Sequence, residues 1–472
     1  MAKPAKVGGI NSVSVWEDDP ETGVLVSRPI PDVANKPLAF GFPKPAPKPG
    51  VYPPGGADFR YWTAAEALRR GADFWSVRVP LTKWQVGATL KVILDEGDDL
   101  NAYYDREALN FFHGHSPTGT VYSGESPDVV CHEMGHAVLD SFKPELWDAG
   151  SQEVAAFHES FADISAILSA IQLPSLRTSI LQDTSGRLYR NSRLSRLAEQ
   201  LGTAIRAQHP DAVDSDCLRN AVNSFTYQDP TTLPGSAPAS QLSSEPHSFS
   251  RVFTGAFFES LGAALSAKAQ NPAMPTSAEL LSVANDLAGI LVNAIKASPV
   301  VSNWYAQVAA NMVIAAGSVD AKYPPIIKAI YVRRAILSLH SAASIAYVPP
   351  VRAAVAAAPA SAHEELAETA LPAGHYGISG VLFVKTASQS RQFVALSAAG
   401  DSSSIEPLGA STAAQAFVDD LFSRGRIDYA DVVAPEAQLN HGHKLKSHRL
   451  VKTSGGARLD RLLFDCGCRN MI

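Results

Sequence analysis

The chain has 472 residues, of which 46% are hydrophobic and 18% are charged, a composition typical of a globular protein with two or three domains. A formal net charge of −6, without any basic stripe, argues against a nucleic-acid-binding protein. Four cysteines in a chain of this length are too few for a disulfide framework.

No segment of the chain predicts a signal sequence or a membrane span. The opening MAKPAKVGGINSVSV is too polar for a secretory signal, so a cytoplasmic protein is expected, with export by a route that needs no such signal as the alternative. Nine prolines between residues 28 and 60 predict an irregular extension over residues 1–60. The longest uncharged run, residues 297–319, contains several Ser, Asn and Gln side chains and predicts a core helix.

A β-rich lobe is predicted over residues 61–127. A short helix begins at Thr63, and strands are expected over residues 75–79, 89–94 and 101–104, because β-branched and aromatic residues dominate these stretches or alternate along them.

Helical periodicity begins at residue 128 and predicts a mainly helical lobe over residues 128–345. Asp128 is a suitable N-cap for the first of its helices. The predicted helices cover residues 128–143, 151–172, 192–207, 249–268, 277–297, 301–317 and 323–340.

The C-terminal part predicts a linker and a small module. Residues 346–372 are rich in Ala and Pro and are interpreted as the linker. Residues 373–472 predict an α/β module without a motif that indicates its chemistry. Its predicted elements are a hairpin over 380–386 and 391–398, a helix over 411–424, and strands over 443–452 and 457–465.

The segment CHEMGHAVLD, residues 131–140, carries the strongest chemical signal. His132 and His136 are four residues apart, so on a helix they project from the same face one turn apart. Two neutral imidazoles in that arrangement can bind one Zn²⁺ at about 2.0–2.1 Å. Glu133 stands beside the first histidine and can reach a water on the metal. The pattern therefore predicts the zinc site of a peptidase.

A catalytic zinc needs a third protein ligand, and Glu159 in the segment HESFADI is the candidate. Asp163 follows one helical turn later, so one carboxylate could bind the metal while the other accepts the N–H of a ligating imidazole. Glu153 is a weaker alternative, because it lies closer to His136 and has no carboxylate four residues later.

Other histidines and cysteines have plainer interpretations. His158 faces away from Glu159 on a helix and is expected to be a satisfied interior or surface histidine. Two HGH tripeptides, His113/His115 and His441/His443, are interpreted as ordinary loop histidines, with a second metal site as the alternative. Cys466 and Cys468 form a CxC pair, for which a redox, metal or zinc-capping role is the alternative to an incidental position.

These motifs resemble the thermolysin-like neutral metallopeptidases, a gluzincin family. DVVCHEMGHAVLD, residues 128–140, repeats the family's DVVxHExxHAVxD helix, and ESFADI, residues 159–164, matches its ExxxDI segment. The resemblance implies an α+β fold in which a β-rich N-terminal lobe and a mainly helical lobe flank a zinc cleft. The small C-terminal α/β module would be an addition to that fold.

The resemblance also implies roles for residues outside the zinc motif. Asn101 and Ala102, followed by two tyrosines, look like the edge strand that binds the substrate backbone. PHSFSRV is similar to the family's HxxSxI segment, whose histidine faces the zinc-bound oxyanion, and this implies that role for His247. The LR dipeptide ending at Arg219 looks like the pair whose arginine contacts the substrate carbonyl and the metal-ligand carboxylate.

Two positions depart from the family pattern. No tyrosine lies between His136 and Glu159, where the family places a second oxyanion donor. Trp147 has an N–H in that neighbourhood, with simple packing as the alternative interpretation. Ala170 stands where the family has an acidic residue for a structural calcium ion, so no calcium of that kind is expected.

The predicted function is zinc-dependent endopeptidase activity on peptides or proteins, with Glu133 as general base and one catalytic Zn²⁺ as cofactor. A gluzincin-type aminopeptidase is an alternative, which the lack of a Gly-x-Met-Glu-Asn stretch disfavours. A non-catalytic zinc-stabilised binding or scaffold protein is the third possibility.

Overall fold

The computed structural model describes residues 11–79, 83–345, 365–396, 404–429, 432 and 445–466. Its strands are β1 (Ser12–Trp16), β2 (Leu25–Pro29), β3 (Ala39–Gly41), β4 (Thr89–Ile93), β5 (Ala102–Tyr104), β6 (Ala108–Phe111), β7 (His113–Ser116), β8 (Gly119–Tyr122), β9 (Arg196–Leu197), β10 (Arg219–Asn220), β11 (Ala367–Pro372), β12 (Val381–Thr386), β13 (Ile427–Asp428), β14 (His448–Thr453), β15 (Gly456–Arg461) and β16 (Phe464–Asp465). Its helices are α1 (Ala57–Ser76), α2 (Pro127–Phe142), α3 (Glu145–Asp148), α4 (Gln152–Ala170), α5 (Pro174–Asp183), α6 (Glu199–Gln208), α7 (Pro246–Lys268), α8 (Ser277–Ala297), α9 (Trp304–Ala316), α10 (Tyr323–Arg333), α11 (Leu339–Ser344) and α12 (Ala410–Ser423). The fold is α+β, as predicted.

A five-stranded sheet in the order β16-β5-β6-β4-β3 forms the strand-rich part next to the helices. β3, β4 and β6 are parallel to one another, whereas β5 is antiparallel to β6. β4 shows why its sequence forms a half-buried strand, since Leu90 and Val92 are buried while Thr89 and Lys91 are exposed. The predictions of strands over 89–94 and 101–104 are therefore confirmed.

The helical part is organised around α4, which is buried along its whole length and packs between α2 and α7. α2 begins at Pro127, and the Ser126 hydroxyl caps it by accepting the N–H of Val129. Helices α8, α9 and α10 pack in sequence order behind α7. One continuous apolar core joins these helices to α1 and to the five-stranded sheet, so the helices and the sheet are fixed relative to each other.

The C-terminal module has its own five-stranded sheet, in the order β11-β12-β15-β14-β13, with α12 packed on it and a separate apolar core. The module is joined to the helical part through Lys385, whose carbonyl accepts the N–H of Gly150 at 2.8 Å and whose ammonium pairs with Asp148 at 2.8 Å. Two residues after β15, the chain leaves the module as β16 and pairs with β5.

The N-terminal region departs from the prediction in two ways. The strand predicted over 75–79 is wrong, because α1 continues through Trp75. Leu68, Ala72 and Trp75 recur at helical spacing and are all fully buried, and the Trp75 ring N–H donates to Ser165 at 2.8 Å. The irregular extension over 1–60 is also wrong in part, since β1 pairs with β2, and β3 pairs with β4. Most of the prolines lie between or after these strands.

Several helix boundaries also differ from those predicted. Asp128 does not cap α2; its carboxylate accepts the N–H of Ala198 at 3.2 Å instead. The helix predicted over 192–207 is shorter, because β9 precedes it and pairs with β10. The helix predicted over 323–340 ends at Arg333, since the backbone reverses at Ala335 with a φ of 59°. The helices predicted over 128–143, 151–172 and 277–297 are confirmed to within two residues.

The hairpin predicted in the C-terminal module is wrong in its second strand. β12 is present, but its antiparallel partner is β11, which falls within the predicted linker 346–372. The described part of the predicted second strand, 391–396, is irregular apart from a single bridge between Leu396 and Ser404. Residues 346–364 of the predicted linker lie outside the described residues.

One described helix, α8, is long and apolar enough to cross a membrane. It packs against α7 and α9, and just over half of its apolar stretch is buried in the protein. A buried core helix of a soluble protein has the same properties, so α8 gives no clear membrane span.

Candidate metal centre

The facing surfaces of α2 and α4 bring three of the predicted site residues together. α2 carries His132 and His136, and α4 carries Glu159. Gly135 allows the two helices to approach closely, because a Cβ at that position would lie 2.8 Å from the Cα of Ala162 and 2.8 Å from the Cβ of Ser165. Glycine between the two histidines is therefore part of the geometry of the site.

The three side chains converge on one point. The Nε2 atom of His132 lies 3.3 Å from Oε2 of Glu159, and that of His136 lies 3.5 Å from the same oxygen. All three atoms are buried, lie within 4.8 Å of one another, and lack a well-formed hydrogen bond. Two ligands about 2.1 Å from a tetrahedral zinc ion stand about 3.4 Å apart. The donor set therefore fits a single metal ion.

Glu159 is ionised in this surrounding. Burial alone would raise its pKa, but the nearby imidazoles of His247, His136 and His132 outweigh that effect and hold the pKa well below its usual value. An anionic carboxylate beside two imidazoles is a suitable ligand set for a divalent cation.

His132 is held from behind by Asp163 and Arg219. Oδ1 of Asp163 lies 2.9 Å from Nδ1 of His132, and the Arg219 guanidinium pairs with the same carboxylate at 2.8 Å and 3.2 Å. Burial would raise the pKa of Asp163, yet Arg219 and His132 lower it to about 2. The charged carboxylate orients the imidazole so that Nε2 points to the metal position.

His136 is held differently, by a second histidine. The Nδ1 atoms of His136 and His158 lie 3.0 Å apart, and the two rings are stacked with centroids 5.3 Å apart. Burial holds the pKa of His158 well below its usual value, so its imidazole is neutral and can accept the N–H of His136. His158 is thus a buried partner of a metal-site imidazole, a contact that its position beside Glu159 did not predict.

Glu133 is fully buried, and neither of its carboxylate oxygens has a well-formed hydrogen bond. Burial is the main reason that its pKa is raised to about 8, with His132 acting in the opposite direction. The side chain of Cys466 lies beside it and also lowers this pKa. A carboxylate that is buried from solvent, lacks strong hydrogen bonds and lies next to the metal position is suited to exchange a proton.

His247 lies in the first turn of α7 and faces the same point. Its Nε2 atom lies 3.3 Å from Oε2 of Glu159, and its Nδ1 atom lies 2.7 Å from Glu245. Burial would lower the pKa of His247, but the carboxylates of Glu159 and Glu245 raise it to about 9. Nε2 also hydrogen-bonds the backbone carbonyl of Asp465. Glu245, to which no sequence motif points, fixes the orientation of this imidazole.

The two residues predicted to hold a substrate backbone lie at the start of β5: Ala102 is its first residue and Asn101 precedes it. The Asn101 side chain turns back and accepts the N–H of Ala102 at 2.9 Å. The carbonyl of Ala102 accepts the N–H of Cys466 at 2.9 Å. The edge of β5 away from β6 is therefore paired with the chain's own β16.

The alternative site residues lie away from this cluster or have other partners. Trp147 is buried against Tyr104 and Phe464, which is the packing interpretation. Glu153 accepts the Tyr227 hydroxyl at 2.6 Å and the backbone N–H of Tyr305 at 2.7 Å, so its carboxylate is already engaged.

The remaining histidines and cysteines form no second metal site among the described residues. His113 pairs with Asp95 at 2.6 Å, and His115 is exposed on β7. Burial raises the pKa of the Cys131 thiol to about 11, as expected of a packed, unreactive cysteine. Cys468 and the second histidine pair, His441/His443, lie outside the described residues.

Comparisons with known proteins find a distant likeness among solved structures. No protein-family model matches the chain, and no curated protein does. Among solved structures, the chain is similar to the precursor of protealysin, a metalloproteinase from Serratia proteamaculans. The TM-score is 0.35 and the sequence identity is 16%, over 70% of this chain and 89% of that chain. At that level the likeness carries no weight for function, which depends on the residues of the centre.

Proposed function

We propose that this protein is a zinc-dependent endopeptidase of the thermolysin-like type. The observation that carries the proposal is the convergence of Nε2 of His132, Nε2 of His136 and Oε2 of Glu159, all buried and lacking well-formed hydrogen bonds, at spacings of 3.3 Å and 3.5 Å. A buried polar atom without a well-formed hydrogen bond is costly, and a single cation at this point would satisfy all three atoms. Two histidines and one glutamate form a common ligand set of catalytic zinc in hydrolases, and Glu133 lies beside them here.

In this proposal a zinc ion bound there supplies a Lewis acid that activates a water and polarises the substrate carbonyl. Glu133, beside His132 and the metal position, would take the proton of the attacking water and deliver it to the leaving nitrogen. His247, held by Glu245, donates to the oxygen that becomes negative in the tetrahedral state. Ala102 offers the backbone carbonyl that would hold an extended peptide on β5.

Substitution of the base tests the proposal. Glu133→Gln should retain one zinc per chain but lose about 10²–10⁴-fold in kcat, because the amide cannot accept the proton. Glu107→Gln, a change of the same chemistry at an exposed position, is the matched control and should leave both quantities unchanged. Zinc is measured by elemental analysis, and turnover is measured on a quenched fluorescent peptide with and without chelator.

The outcomes separate the candidate functions. Chelator-sensitive cleavage of peptides with blocked amino termini supports an endopeptidase, whereas cleavage of free amino termini alone indicates an aminopeptidase. Stoichiometric zinc with no cleavage of any peptide, by the wild type or by the variant Phe464→Ala, which removes a ring stacked on His136, would leave a zinc-stabilised binding protein and contradict the proposal. Substantial turnover by Glu133→Gln would remove Glu133 from the role of base.

A further inference from the structure

We infer that the segment 463–466, which contains β16 and is called the cleft segment below, is a built-in inhibitor that occupies the place of the substrate. The inference rests on the proposed function, because it assigns the segment to the peptide-binding edge of that site. It also assigns a role to the C-terminal module, in which the sequence shows no chemical motif.

The backbone of the cleft segment is bound as an added strand. β16 is antiparallel to β5, with Phe464 opposite Tyr104 and Asp465 opposite Tyr103. The N–H of Cys466 continues this pairing to the carbonyl of Ala102 at 2.9 Å. Addition of an extended strand to a free sheet edge is a general way for proteins to bind peptides. A substrate that used the same edge would have to displace the segment.

The side chains of the cleft segment cover the metal centre. The ring of Phe464 stacks on His158 with centroids 4.0 Å apart and on His136 with centroids 5.1 Å apart. The carbonyl of Asp465 accepts from His247, and the side chain of Cys466 lies beside Glu133. The segment therefore contacts the proposed oxyanion donor, the proposed base and one proposed ligand.

The centre is closed as a result. His136 and Glu133 have no solvent-exposed surface, and Glu159 has 1%. The small pocket beside the centre, which Glu159 and His247 share with residues of the C-terminal module, has a volume of about 20 Å³, room for about one water molecule. A peptide cannot enter such a site, whereas a catalytic zinc needs one position open to water and substrate.

The attachment of the cleft segment is suited to release. β16 has only two residues, and its contacts to the sheet are few compared with those of a full strand. It is held by the module from which it comes, because Arg426 pairs with the Asp465 carboxylate at 2.5 Å and Arg461 lies over the Phe464 ring at 4.1 Å. Movement or cleavage of the module would therefore pull the segment from the cleft without unfolding the helices that hold the metal ligands.

Two substitutions outside the proposed catalytic residues test the inference in the full chain. Phe464→Ala removes the stacked ring, and the double variant Phe464→Ala/Arg426→Ala removes the ion pair as well. Phe422→Ala is the matched control, because it removes an aromatic ring that stacks on Tyr376 inside the module and not on the centre. Phe464→Ala and the double variant are called the released variants. Without the stacked ring the cleft segment should leave β5 more often, so kcat/KM for a quenched peptide should rise by about tenfold to a hundredfold. The control should equal the wild type.

Three readouts do not depend on turnover. In the metal-free protein, the amides of β5 should exchange hydrogen faster in the released variants than in the wild type. Iodoacetamide should modify Cys466 faster, with the position located by peptide mapping. Zinc content should be the same in all four proteins.

A synthetic peptide of residues 461–466, RLLFDC, should inhibit the turnover of the released variants competitively.

The outcomes distinguish this inference from the proposed function. Equal chelator-sensitive turnover by wild type and released variants, with faster exchange of β5 in the variants, would overturn the inhibitory role and leave the peptidase intact. Lower turnover in the released variants would overturn it too, because the segment would then support the working cleft. Released variants that bind zinc, exchange faster and cleave nothing would overturn both. Loss of the residues after 462 when zinc is added to the wild type would show that the segment is a substrate and not an inhibitor.

Discussion

The two imidazoles of the metal centre are oriented by groups of different charge. His132 donates to the ionised carboxylate of Asp163, which Arg219 partly neutralises, whereas His136 contacts the neutral ring of His158. The carboxylate makes His132 the stronger electron donor of the two, because a hydrogen bond to an anion raises the basicity of the imidazole. The two ligands would therefore contribute unequally to metal affinity.

Asp163→Asn tests this inequality. The amide keeps the shape of the side chain but removes the charge and places an N–H₂ group against Arg219, so zinc affinity should fall by about 10–100-fold. Asp140→Asn is the matched control, because Asp140 is a buried aspartate paired with Arg106 at 2.6 Å and is not in contact with His132. Competition with a chelating dye measures the zinc dissociation constant. Equal affinity of Asp163→Asn and wild type would show that the charge of Asp163 has no influence on zinc binding.

At the residue scale, the sequence predicted the contacts that depend on helical spacing and missed those that depend on tertiary packing. His132 and His136 lie on one helix, so their common direction follows from a four-residue interval. Other contacts depend on how separate elements pack. They are the approach of His158 to His136, of Glu245 to His247, and of Phe464 to the rings of His136 and His158. No periodicity in the sequence reports such contacts.

At the scale of elements, the spacing between α2 and α4 controls the centre. Glu159 must stay 3.3–3.5 Å from two imidazole nitrogens on the other helix, and the close approach at Gly135 sets that distance. A methyl group at Gly135 would meet the backbone of Ala162, which cannot move aside as a flexible side chain would. Gly135 thus sets the packing of the two helices, while its neighbours His132, Glu133 and His136 are the proposed ligands and base.

Gly135→Ala should therefore lower both stability and zinc affinity. We expect a loss of about 1–3 kcal/mol in the free energy of unfolding from overpacking, and weaker zinc binding because α4 is displaced. Gly289→Ala on α8 is the control: a Cβ there meets nothing within 4 Å, and alanine should stabilise that helix by about 0.5–1 kcal/mol. Denaturant unfolding and dye competition measure the two effects. A Gly135→Ala protein with unchanged zinc affinity would show that the helix spacing tolerates the methyl group.

Strands were harder to predict than helices for a physical reason. Helices such as α4 and α8 are specified by local apolar periodicity, and both were predicted nearly in full. β11 and β16 are short and pair with distant strands, so their state is decided by partners that the local pattern does not identify. The composition around Trp75 favoured a strand, but Trp75 lies in the last turn of α1, where its ring is buried and donates to Ser165.

At the scale of the whole molecule, a buried aspartate near the N-terminus joins three separated parts of the chain. Asp19 accepts the Ser126 hydroxyl at 2.7 Å, at the start of α2, and the backbone N–H of Gln200 at 2.8 Å, in α6. Burial raises its pKa to about 7, although the hydrogen bonds from Ser126, Glu21 and Gln200 oppose the shift. The neighbouring Asp128 is also buried, and its pKa is raised well above its usual value.

The raised pKa of Asp19 predicts a pH-dependent stability. Because the folded state binds this proton more tightly than the unfolded state, the free energy of unfolding should fall as the pH rises from about 4 to about 7, by up to about 1.4 kcal/mol per pH unit for one proton. Asp19→Asn mimics the protonated acid and should remove the part of this pH dependence that Asp19 contributes to the free energy of unfolding. Metal-free protein is unfolded in denaturant from pH 5 to pH 7.5, with Asp32→Asn at an exposed position as the control. Parallel curves for Asp19→Asn and wild type would contradict the prediction.

The pairing of β16 with β5 also constrains the order in which the protein can form during translation. β5 and the helices that carry His132, His136 and Glu159 leave the ribosome long before Phe464 is added, because chains emerge from the N-terminus and domains fold as they appear. The nascent chain would thus pass through a stage in which the metal ligands are assembled and β5 still has a bare edge. How quickly the ribosome completes the C-terminal module would then decide how long that edge is exposed to other polypeptides.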